Sequence, residues 1–406
     1  MKKEQSIREY MHFIIQDICE KIGPRPPCSA QETLCASYIK KELEKNLSTA
    51  KIEEFYCHPG SYKVQFQIPI ASLLIAIVCY WIYIFFQKFF FLLIPAISFI
   101  IALCVIQTNI MRNIELIDPF FELKKSTNVY GIFKPQNTAR KKILIGGHHD
   151  SNWEFPLLRK SWKLFGLMMS LSIILNYLIF AIFLIKIVLY YFANPFLFII
   201  EVDLIILVFL TCLAPALIYF SFNIISNRPV MGANDNLTSI AVILAIARTL
   251  NALNLNHTEV WLVSHGCEEI GVRGSKRFSQ VHYNELKDAI VINIDMIGGQ
   301  NTQLRFVTAE VVFLVQLSKE LAYKLSRIAS KLDIPHHIGR IEAFTDSFAY
   351  TQKKIKTCSI IGFPEKGVPP HYHTREDILE NLQFENLWDC YRLLIEFIKR
   401  VDRNEI

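Results

Sequence analysis

Residues 142–151 have the sequence KILIGGHHDS, in which a short apolar run ends at two glycines, two histidines and an aspartate. We predict that residues 142–145 form a buried strand, because a short apolar run bounded by turn residues is typical of a sheet interior. The same pattern recurs at residues 259–263 and 289–294. In each case, residue types that bind metals or transfer protons follow the apolar run within a few positions.

Helical periodicity occurs between and before these strands. The predicted helices are residues 14–22, 32–47, 237–250 and 313–332. Strands that alternate with helices indicate an α/β fold, here a three-layer α/β/α domain with a mostly parallel central sheet. Ligands of such sheets bind beyond the carboxyl ends of the strands, so the polar residues found there are candidates for one common site.

The 406-residue chain also contains two long apolar blocks. Apolar residues make up 52% of the sequence although 20% of it is charged, so the apolar excess is concentrated locally. The charge-free parts of the blocks are residues 68–86, 89–106, 164–185 and 204–222. The first block is interrupted at Gln87 and Lys88, and the second breaks at residues 193–195.

Each block is long enough for two membrane spans, since one helix needs about 20 apolar residues to cross a bilayer. We predict four transmembrane helices arranged as two hairpins, residues 63–111 and 161–223. The hairpins would be inserted into one discontinuous domain made of residues 1–62, 112–160 and 224–406. Buried helices of a soluble core are the alternative, which charge-free stretches of this length disfavour.

Each hairpin returns the chain to the side it left, so the polar domain is expected on one side of the membrane. The basic residues on that side are Lys63, Arg112, Arg159, Lys160, Lys163 and Arg228. The opposite ends of the hairpins have Lys88, Lys186, Glu201 and Asp203. The positive-inside rule therefore predicts that the polar domain is cytoplasmic.

Charge and cysteine usage exclude several classes of protein. The net charge is +6 without a dense run of Lys or Arg, so no nucleic-acid partner is expected. The ten cysteines occur singly and form no CxxC pair, which argues against a disulfide framework or a cysteine zinc site. The charged N-terminal sequence is not typical of a signal peptide. Self-association through lipid-embedded hairpins is left open.

Five polar segments contain the side chains that zinc accepts. They are residues 146–151, 232–236, 267–271, 295–298 and 371–374. Imidazoles and carboxylates bind zinc at about 2.0–2.2 Å. A pair of zinc ions needs one bridging carboxylate, a histidine and a further carboxylate for each ion, and a metal-free carboxylate that moves a proton. Each segment alone is weak evidence, but three of the five directly follow predicted strands.

Taken together, GGHHDS, GANDN, EEIGVRGS, NIDMIGG and YHT resemble the motifs of metallopeptidase family 28. This co-catalytic zinc family includes bacterial aminopeptidases, glutamate carboxypeptidases and, with modified sites, glutaminyl cyclases. The N-terminal sequence Ile22-Gly23-Pro24-Arg25 is also similar to the opening of the family. The resemblance covers nearly all of the polar residues and implies a zinc-peptidase domain that binds two Zn²⁺ ions.

Matched motif by motif, the resemblance implies a ligand for each position of a two-zinc site. His148 and Asp295 would bind one zinc ion, and Glu269 and His373 would bind the other. Asp235 would bridge the two ions. All predicted ligand positions are occupied by suitable residues, which argues against an inactive homologue.

The resemblance also implies two catalytic roles outside the ligand set. Glu268 would be the general base, and Asp150 would orient the imidazole of His148. Cys267 is expected to be a small packed side chain. Three histidines outside the motifs are expected to be structural or surface residues: His149, His265 and His371.

Two features depart from the family pattern. Asp346 lies where the family often has an Asp-His pair, and Ser347 replaces that histidine. The second hairpin separates His148 from Asp235, which is tolerable if the inserted segment leaves the domain and returns near its exit point. The site would then lie near the membrane surface, with residues 152–158 between it and the bilayer.

The resemblance implies a zinc exopeptidase with a peptide substrate, most simply an aminopeptidase, and the apolar blocks predict that it is membrane-anchored. A carboxypeptidase or dipeptidase would use the same metals and a basic residue, for which Arg273, Arg305 and Arg340 are candidates. A glutaminyl cyclase would use one zinc ion. A transporter or receptor with a peptidase-like domain is the non-enzymatic alternative, supported only by ionisable residues near the spans. The sequence leaves open the side-chain specificity and the native metal, since such sites also accept Co or Mn.

Overall fold

The structure is a computed structural model that describes residues 2–192, 200–311 and 315–406, without the side chains of residues 2, 3 and 200–203. The predicted break at residues 193–195 lies outside the described residues, as do the side chains of Glu201 and Asp203. The helices are α1 (Lys2–Lys21), α2 (Ala30–Glu44), α3 (Ser61–Phe86), α4 (Phe90–Val105), α5 (Pro156–Lys160), α6 (Trp162–Phe192), α7 (Ile200–Asn223), α8 (Thr238–Leu250), α9 (Arg273–Val281), α10 (Tyr283–Leu286), α11 (Lys319–Lys331), α12 (Ser347–Gln352) and α13 (Glu385–Asp402). The strands are β1 (Thr49–Cys57), β2 (Lys124–Phe133), β3 (Lys141–His148), β4 (Thr258–His265), β5 (Ile290–Asp295), β6 (Gln303–Glu310), β7 (Val315–Gln316), β8 (His336–Ile341) and β9 (Lys356–Phe363).

The chain divides into two compact units. The first consists of Met1–Pro59, Leu123–Glu154 and Asn227–Ile406, and the second of Gly60–Glu122 and Phe155–Ser226. The first unit contains all of the strands named above, and the second contains α3 to α7. The predicted domain boundaries at residues 62, 112, 160 and 224 stay a prediction.

The sheet of the first unit is mixed, so the predicted parallel character is confirmed for only part of it. The strand order is β1-β2-β4-β3-β5-β9-β6-β7, and β8 pairs with β6. The central strands β4, β3, β5 and β9 are parallel to one another. The pairs β1–β2, β2–β4, β6–β9 and β6–β7 are antiparallel. Only central strands were predicted, from the patterns at residues 142–145, 259–263 and 289–294. These patterns gave no information about the antiparallel strands on either side.

Successive side chains of the central strands are apolar and point to opposite faces of the sheet, which explains why helices cover both faces. Ile143 and Ile145 of β3 point into one core, which α1, α2, α8, α11 and α13 complete. Leu144, between them, packs in a second core with Trp261 and Phe278. Strands that are buried on both faces have continuous apolar sequences, as β3, β4 and β5 do. The result is a three-layer α/β/α arrangement.

Two helices have ends that local chemistry explains. The hydroxyl of Ser29 accepts a hydrogen bond from the backbone of Glu32 and begins α2. Ser318 does the same for Leu321 at the start of α11. The predicted helix from residue 313 was wrong at its start, because residues 315–316 form β7 and α11 begins at Lys319. Residues 312–314 lie outside the described residues.

The second unit consists largely of long apolar helices. Between α3 and α4 the chain turns at Gln87, whose backbone is left-handed with φ of 49°. The amide of Asn176 in α6 is fully buried and donates to the carbonyls of Pro69 (3.0 Å) and Ser172 (2.8 Å), while its oxygen accepts from Ser72 (2.6 Å). Such bonds satisfy polar groups within an apolar bundle.

Several helices are long and apolar enough to cross a membrane. Among the described residues they are Ser61–Phe86, Phe90–Ile110, Trp162–Phe192, Leu204–Asn223 and Ala233–Leu253. The first four belong to the second unit, and the fifth is 78% buried and includes the core helix α8. Burial within the α/β core accounts for the apolar sequence of α8 without a bilayer. The four transmembrane helices stay a prediction.

Candidate metal centre

The first site residue, His148, ends strand β3. A side chain at Gly147 would lie 2.3 Å from the Ser239 hydroxyl and 3.0 Å from the carbonyl of Ile294. Glycine at this position therefore lets the start of α8 and the end of β5 approach β3 closely. This close packing brings together the carboxyl ends of β3 and β5, which is where His148 and Asp295 lie.

Asp235 lies in a loop before α8 that hydrogen bonds hold on two sides. The carboxylate of Asp377 accepts from the backbone N–H of Asn234 (2.6 Å) and of Asp235 itself (3.1 Å). The amide of Asn236 donates to the carbonyl of Ile294 at the end of β5 (3.0 Å). These bonds fix Asp235 between the ends of the central strands and residues 371–377.

The five predicted metal ligands meet in two groups that share Asp235. His148 Nε2 lies 3.2 Å from Asp235 Oδ1 and 3.7 Å from Asp295 Oδ1. His373 Nε2 lies 3.2 Å from Asp235 Oδ2 and 3.0 Å from Glu269 Oε2. In each group the candidate ligand atoms all lie within 4.8 Å of one another. Asp235 thus presents one oxygen to each group, which is the arrangement that a carboxylate bridging two ions requires.

The environment of these ligands fits bound cations. The five residues are only 1–4% exposed. Glu269 Oε1 and Asp295 Oδ1 are buried and have no hydrogen-bond partner among the described residues. Buried carboxylate oxygens without partners are costly unless they coordinate a metal. A set of two imidazoles and three carboxylates matches the ligand preference of zinc.

Glu268 lies beside His148 and belongs to neither ligand group. Its Oε2 is 3.8 Å from His148 Nε2. The carboxylate of Asp150 accepts from the backbone N–H groups of Glu268 and Glu269, each at 3.1 Å. The Nδ1 atom of His148 lies 3.4 Å from Asp150 Oδ1 and 3.2 Å from its carbonyl oxygen. Asp150 therefore contacts both the imidazole it was predicted to orient and the turn that presents the two glutamates.

In the absence of cations, burial disfavours the ionised form of two carboxyl groups of the site, Glu268 and Glu269. Burial raises the pKa of Glu269 to about 7, and the charge of Asp235 adds to the effect. Burial also holds the pKa of Glu268 well above its usual range, opposed by His148 and reinforced by Asp346. Two divalent ions would reverse this, because a nearby positive charge favours the ionised carboxylate. The charge distribution is therefore suited to metal binding.

Three positioning residues were not predicted from the motifs. Arg25 is fully buried and donates to the carbonyls of His149 (2.8 Å), Met231 (2.9 Å) and Gly232 (2.9 Å), so it joins the segment after β3 to the loop of Asp235. Asp377 supports the same loop, as described above. The amide of Asn152 donates to Glu269 Oε2 (2.7 Å). The pattern Gly-Pro-Arg was noted in the sequence, but nothing local to it indicates contacts with residues 149 and 231–232.

Four residues that were not predicted to be metal ligands belong to neither ligand group: His149, His265, His371 and Asp346. His149 bonds to the Ser264 hydroxyl (2.7 Å), and His265 bonds to the Tyr350 hydroxyl (3.0 Å). His371 is partly exposed, whereas Asp346 is 1% exposed. Burial raises the pKa of Asp346 to about 7, against the opposing charge of His148.

The family model of peptidase family M28 matches residues 220–398, which include Asp235, Glu268, Glu269, Asp295 and His373. Aminopeptidase YwaD of Bacillus subtilis (strain 168) is 29% identical over 171 residues. Over these ranges the chain is similar to peptidase family M28. The family resemblance of the sequence is thereby confirmed. The match spans 38% of this chain and 34% of YwaD, about a third of the length of that relative.

Solved structures of the same fold cover nearly the whole chain. A zinc aminopeptidase from Bacillus subtilis, BSAP, has a TM-score of 0.57 and 15% identity, with 97% of this chain and 95% of that one covered. A glutaminyl cyclase of Bacteroides thetaiotaomicron bound to N-acetylhistamine has a TM-score of 0.55 and 16% identity, with coverage of 97% and 96%. At these identities the likeness establishes the fold and not the activity.

Proposed function

We propose that this M28 chain is a membrane-anchored zinc exopeptidase, and specifically an aminopeptidase that removes N-terminal residues from peptides. The observation that supports it most is the pair of buried ligand groups that share Asp235. A shared carboxylate with one imidazole and one further carboxylate on each side is the donor set of a two-zinc hydrolase. His148, Asp295, Glu269 and His373 would be the remaining ligands.

The residues of the chain suggest how the reaction proceeds. Zinc held by these residues would supply Lewis-acid polarisation of the scissile carbonyl and would lower the pKa of a bound water molecule. Glu268 is buried beside His148 and is outside both ligand groups, so its carboxylate can accept the proton of that water and return it to the leaving amine. Asp150 holds the backbone of Glu268 and thereby fixes the position of the base.

The preference for an aminopeptidase has two supports. The site is rich in carboxylates, which favour the free α-ammonium of a peptide over a terminal carboxylate. YwaD and BSAP are both named aminopeptidases. A carboxypeptidase would need a free cation near the site. Arg305 instead stacks on Phe363 at 4.0 Å and donates to the carbonyl of Arg340 (3.3 Å).

The single-zinc glutaminyl cyclase has less support from the site. It would leave one of the two buried ligand groups, His148 with Asp295 or Glu269 with His373, without a cation. The transporter or receptor alternative also has less support, because such a protein would require no catalytic base at Glu268.

Residues 60–122 and 155–226 would anchor the protein in the bilayer, with the peptidase unit in the cytoplasm.

The full-length protein, purified in detergent and loaded with zinc, tests the proposal. We expect it to hydrolyse a panel of aminoacyl reporter substrates and to lose this activity when the substrates are N-acetylated. Hydrolysis that persists after N-acetylation would remove the aminopeptidase assignment. Cyclisation of N-terminal glutamine without hydrolysis would favour the cyclase. Glu268→Gln serves as the matched inactive control, since it keeps the size and shape of the side chain.

A further inference from the structure

Three cysteines from distant parts of the sequence meet in the first unit. Cys28 precedes α2, Cys57 ends β1, and Cys267 follows β4. The Sγ atoms of Cys28 lie 3.4 Å from those of Cys57 and Cys267, which are 3.7 Å from each other. Their separation in the sequence explains why counting CxxC pairs did not indicate a cysteine site.

A buried carboxylate adjoins the three thiols. Glu32 is fully buried, and its Oε1 accepts from the backbone of Cys267 (2.9 Å) and lies 3.3 Å from Cys267 Sγ. Its Oε2 accepts from the backbone of Cys28 (2.8 Å) and from the Ser126 hydroxyl (2.9 Å). Cys57 and Cys267 are also fully buried. A glutamate this deep in a protein is rare unless it is paired or bound to a cation.

The spacing of the three sulfur atoms matches that of thiolates bound to one tetrahedral zinc ion. Zinc–sulfur bonds of about 2.3 Å at tetrahedral angles place two sulfurs about 3.8 Å apart, and a zinc–oxygen bond of about 2.0 Å places sulfur and oxygen about 3.5 Å apart. The observed separations are 3.4–3.7 Å between sulfurs and 3.3 Å between Cys267 Sγ and Glu32 Oε1. A disulfide, with sulfurs about 2.05 Å apart, would use two of the thiols and leave the third unpaired.

We propose that the thiolates of Cys28, Cys57 and Cys267 form a second metal site, which binds one zinc ion in a structural role, with Glu32 beside Cys267. Ligand sets rich in thiolates are typical of structural zinc. The ion would join the segment before α2 and the end of β1 to Cys267, the residue that precedes Glu268. It would thus stabilise the turn that presents both glutamates, without taking part in the reaction. The inference does not depend on peptide hydrolysis.

Cobalt binding tests this site in the full-length protein, purified in detergent under reducing conditions and stripped of metal with a chelator. On titration with Co²⁺ we expect near-ultraviolet thiolate-to-cobalt absorption whose final intensity corresponds to one thiolate-bound cobalt ion per chain. Asp235→Asn, which disrupts the M28 centre, should leave this absorption unchanged. Cys57→Ala should reduce it more than tenfold, and Cys358→Ala, a change at a buried cysteine outside the cluster, should not. Absence of the band from wild-type protein, or its persistence in Cys57→Ala, would overturn the proposal.

X-ray absorption at the zinc edge of the wild-type protein tests the site without any variant. We expect zinc–sulfur scattering at about 2.3 Å in addition to the nitrogen and oxygen scatterers of the M28 centre. Nitrogen and oxygen scatterers alone, or a Cys28–Cys57 disulfide in unreduced protein by mass spectrometry, would refute the cysteine site while leaving the proposed peptidase intact.

Discussion

Glu268 and Glu269 are neighbours in the sequence but have different surroundings. Glu269 Oε2 lies 3.0 Å from His373 Nε2 and accepts from Asn152, whereas Glu268 adjoins His148 at 3.8 Å. Both backbone N–H groups bond to Asp150, so the turn directs the two side chains to separate positions. This difference is the basis for assigning one glutamate to proton transfer and the other to metal binding.

Glutamine at each position separates the two roles. Glu268→Gln should lower kcat by at least about 100-fold, because an amide cannot accept the proton, and zinc content should stay unchanged. Glu269→Gln should lose zinc from the group with His373. Zinc analysis and kinetics of both variants check this. A Glu268→Gln protein that is fully active, or that loses zinc, would contradict the assignment of the general base.

Asp377 gives a test of positioning by a residue outside the ligand set. Its carboxylate accepts from the backbone of Asn234 and Asp235, so Asp377→Ala should weaken zinc binding by about 10- to 100-fold. Asp377→Asn keeps one acceptor oxygen and should give an intermediate affinity. Competition with a chelator measures both. Unchanged zinc affinity in a folded Asp377→Ala protein would show that the loop is positioned by other contacts.

At the residue scale, the sequence predicted the residues whose type and place in a short motif indicate their role. It did not predict the residues that act through distant backbone groups. His148, Asp235 and Glu269 stand in short motifs next to strands, so their types and spacing indicated a metal centre. Arg25 acts through backbone carbonyls more than a hundred positions away, and no local pattern reports such contacts. The cysteine cluster was not predicted for the same reason, because its three residues are far apart in the sequence.

At the scale of elements, the site depends on how closely β3, β5 and α8 approach one another. Gly147 permits that approach, since a Cβ there would meet both Ser239 and the backbone of Ile294. The central strands were predictable from their apolar sequences. The antiparallel pairing of β1 with β2, and of β6 with β9, depends on contacts distant in sequence, so the mixed character of the sheet was not predictable.

Alanine at Gly147 should destabilise the packing of these elements. The added methyl must displace α8 or the end of β5, so we expect a loss of about 1–3 kcal/mol and a lower Tm. Gly339→Ala is the matched control, because its Cβ would make only ordinary contacts with the Arg305 side chain at 3.6 Å. Equal Tm values for the two variants would show that the close approach is not required.

The end of β6 gives a prediction about pH. Glu310 is fully buried, and burial raises its pKa from 4.5 to about 8, although a hydrogen bond from Thr345 (2.7 Å) opposes the shift. The folded protein therefore binds this proton more tightly than the unfolded chain does. The contribution to stability is complete below pH 4.5 and is lost as the pH rises toward 8.

Glu310→Gln does not titrate, so its Tm relative to wild type should rise steadily between pH 5 and pH 8. Thermal unfolding across that range checks the trend. Glu342→Gln, at an exposed position, should show a difference that does not change with pH. A flat difference for Glu310→Gln as well would mean that Glu310 is ionised in the folded protein.

At the scale of the whole molecule, the apolar sequences of two blocks predict anchoring in a bilayer. The second unit leaves many large apolar side chains exposed, among them Phe85, Phe86, Phe192, Ile205 and Phe222. Exposed apolar surface of this extent is typical of a lipid or protein interface. Distribution of charge at the ends of the hairpins predicts the orientation, and the proximity of the site to the bilayer stays a prediction.

Reporter placement tests the predicted orientation. A fluorescent protein fused after Ile406 should lie in the cytoplasm, and an epitope inserted at Lys88, between α3 and α4, should be accessible only from the opposite side. Protease protection of intact and permeabilised cells or vesicles distinguishes the two. Both tags on one side would contradict a first hairpin that crosses the membrane twice.

The central claim is that two cations bind to the two groups that share Asp235. Anomalous scattering at the zinc edge from crystals of the zinc-loaded protein tests it most directly. We expect two peaks about 3.5–4 Å apart, one beside His148 and Asp295 and the other beside Glu269 and His373, with Asp235 between them. Both peaks should disappear in Asp235→Asn. A single peak at this site, or no zinc next to Asp235, would contradict the account.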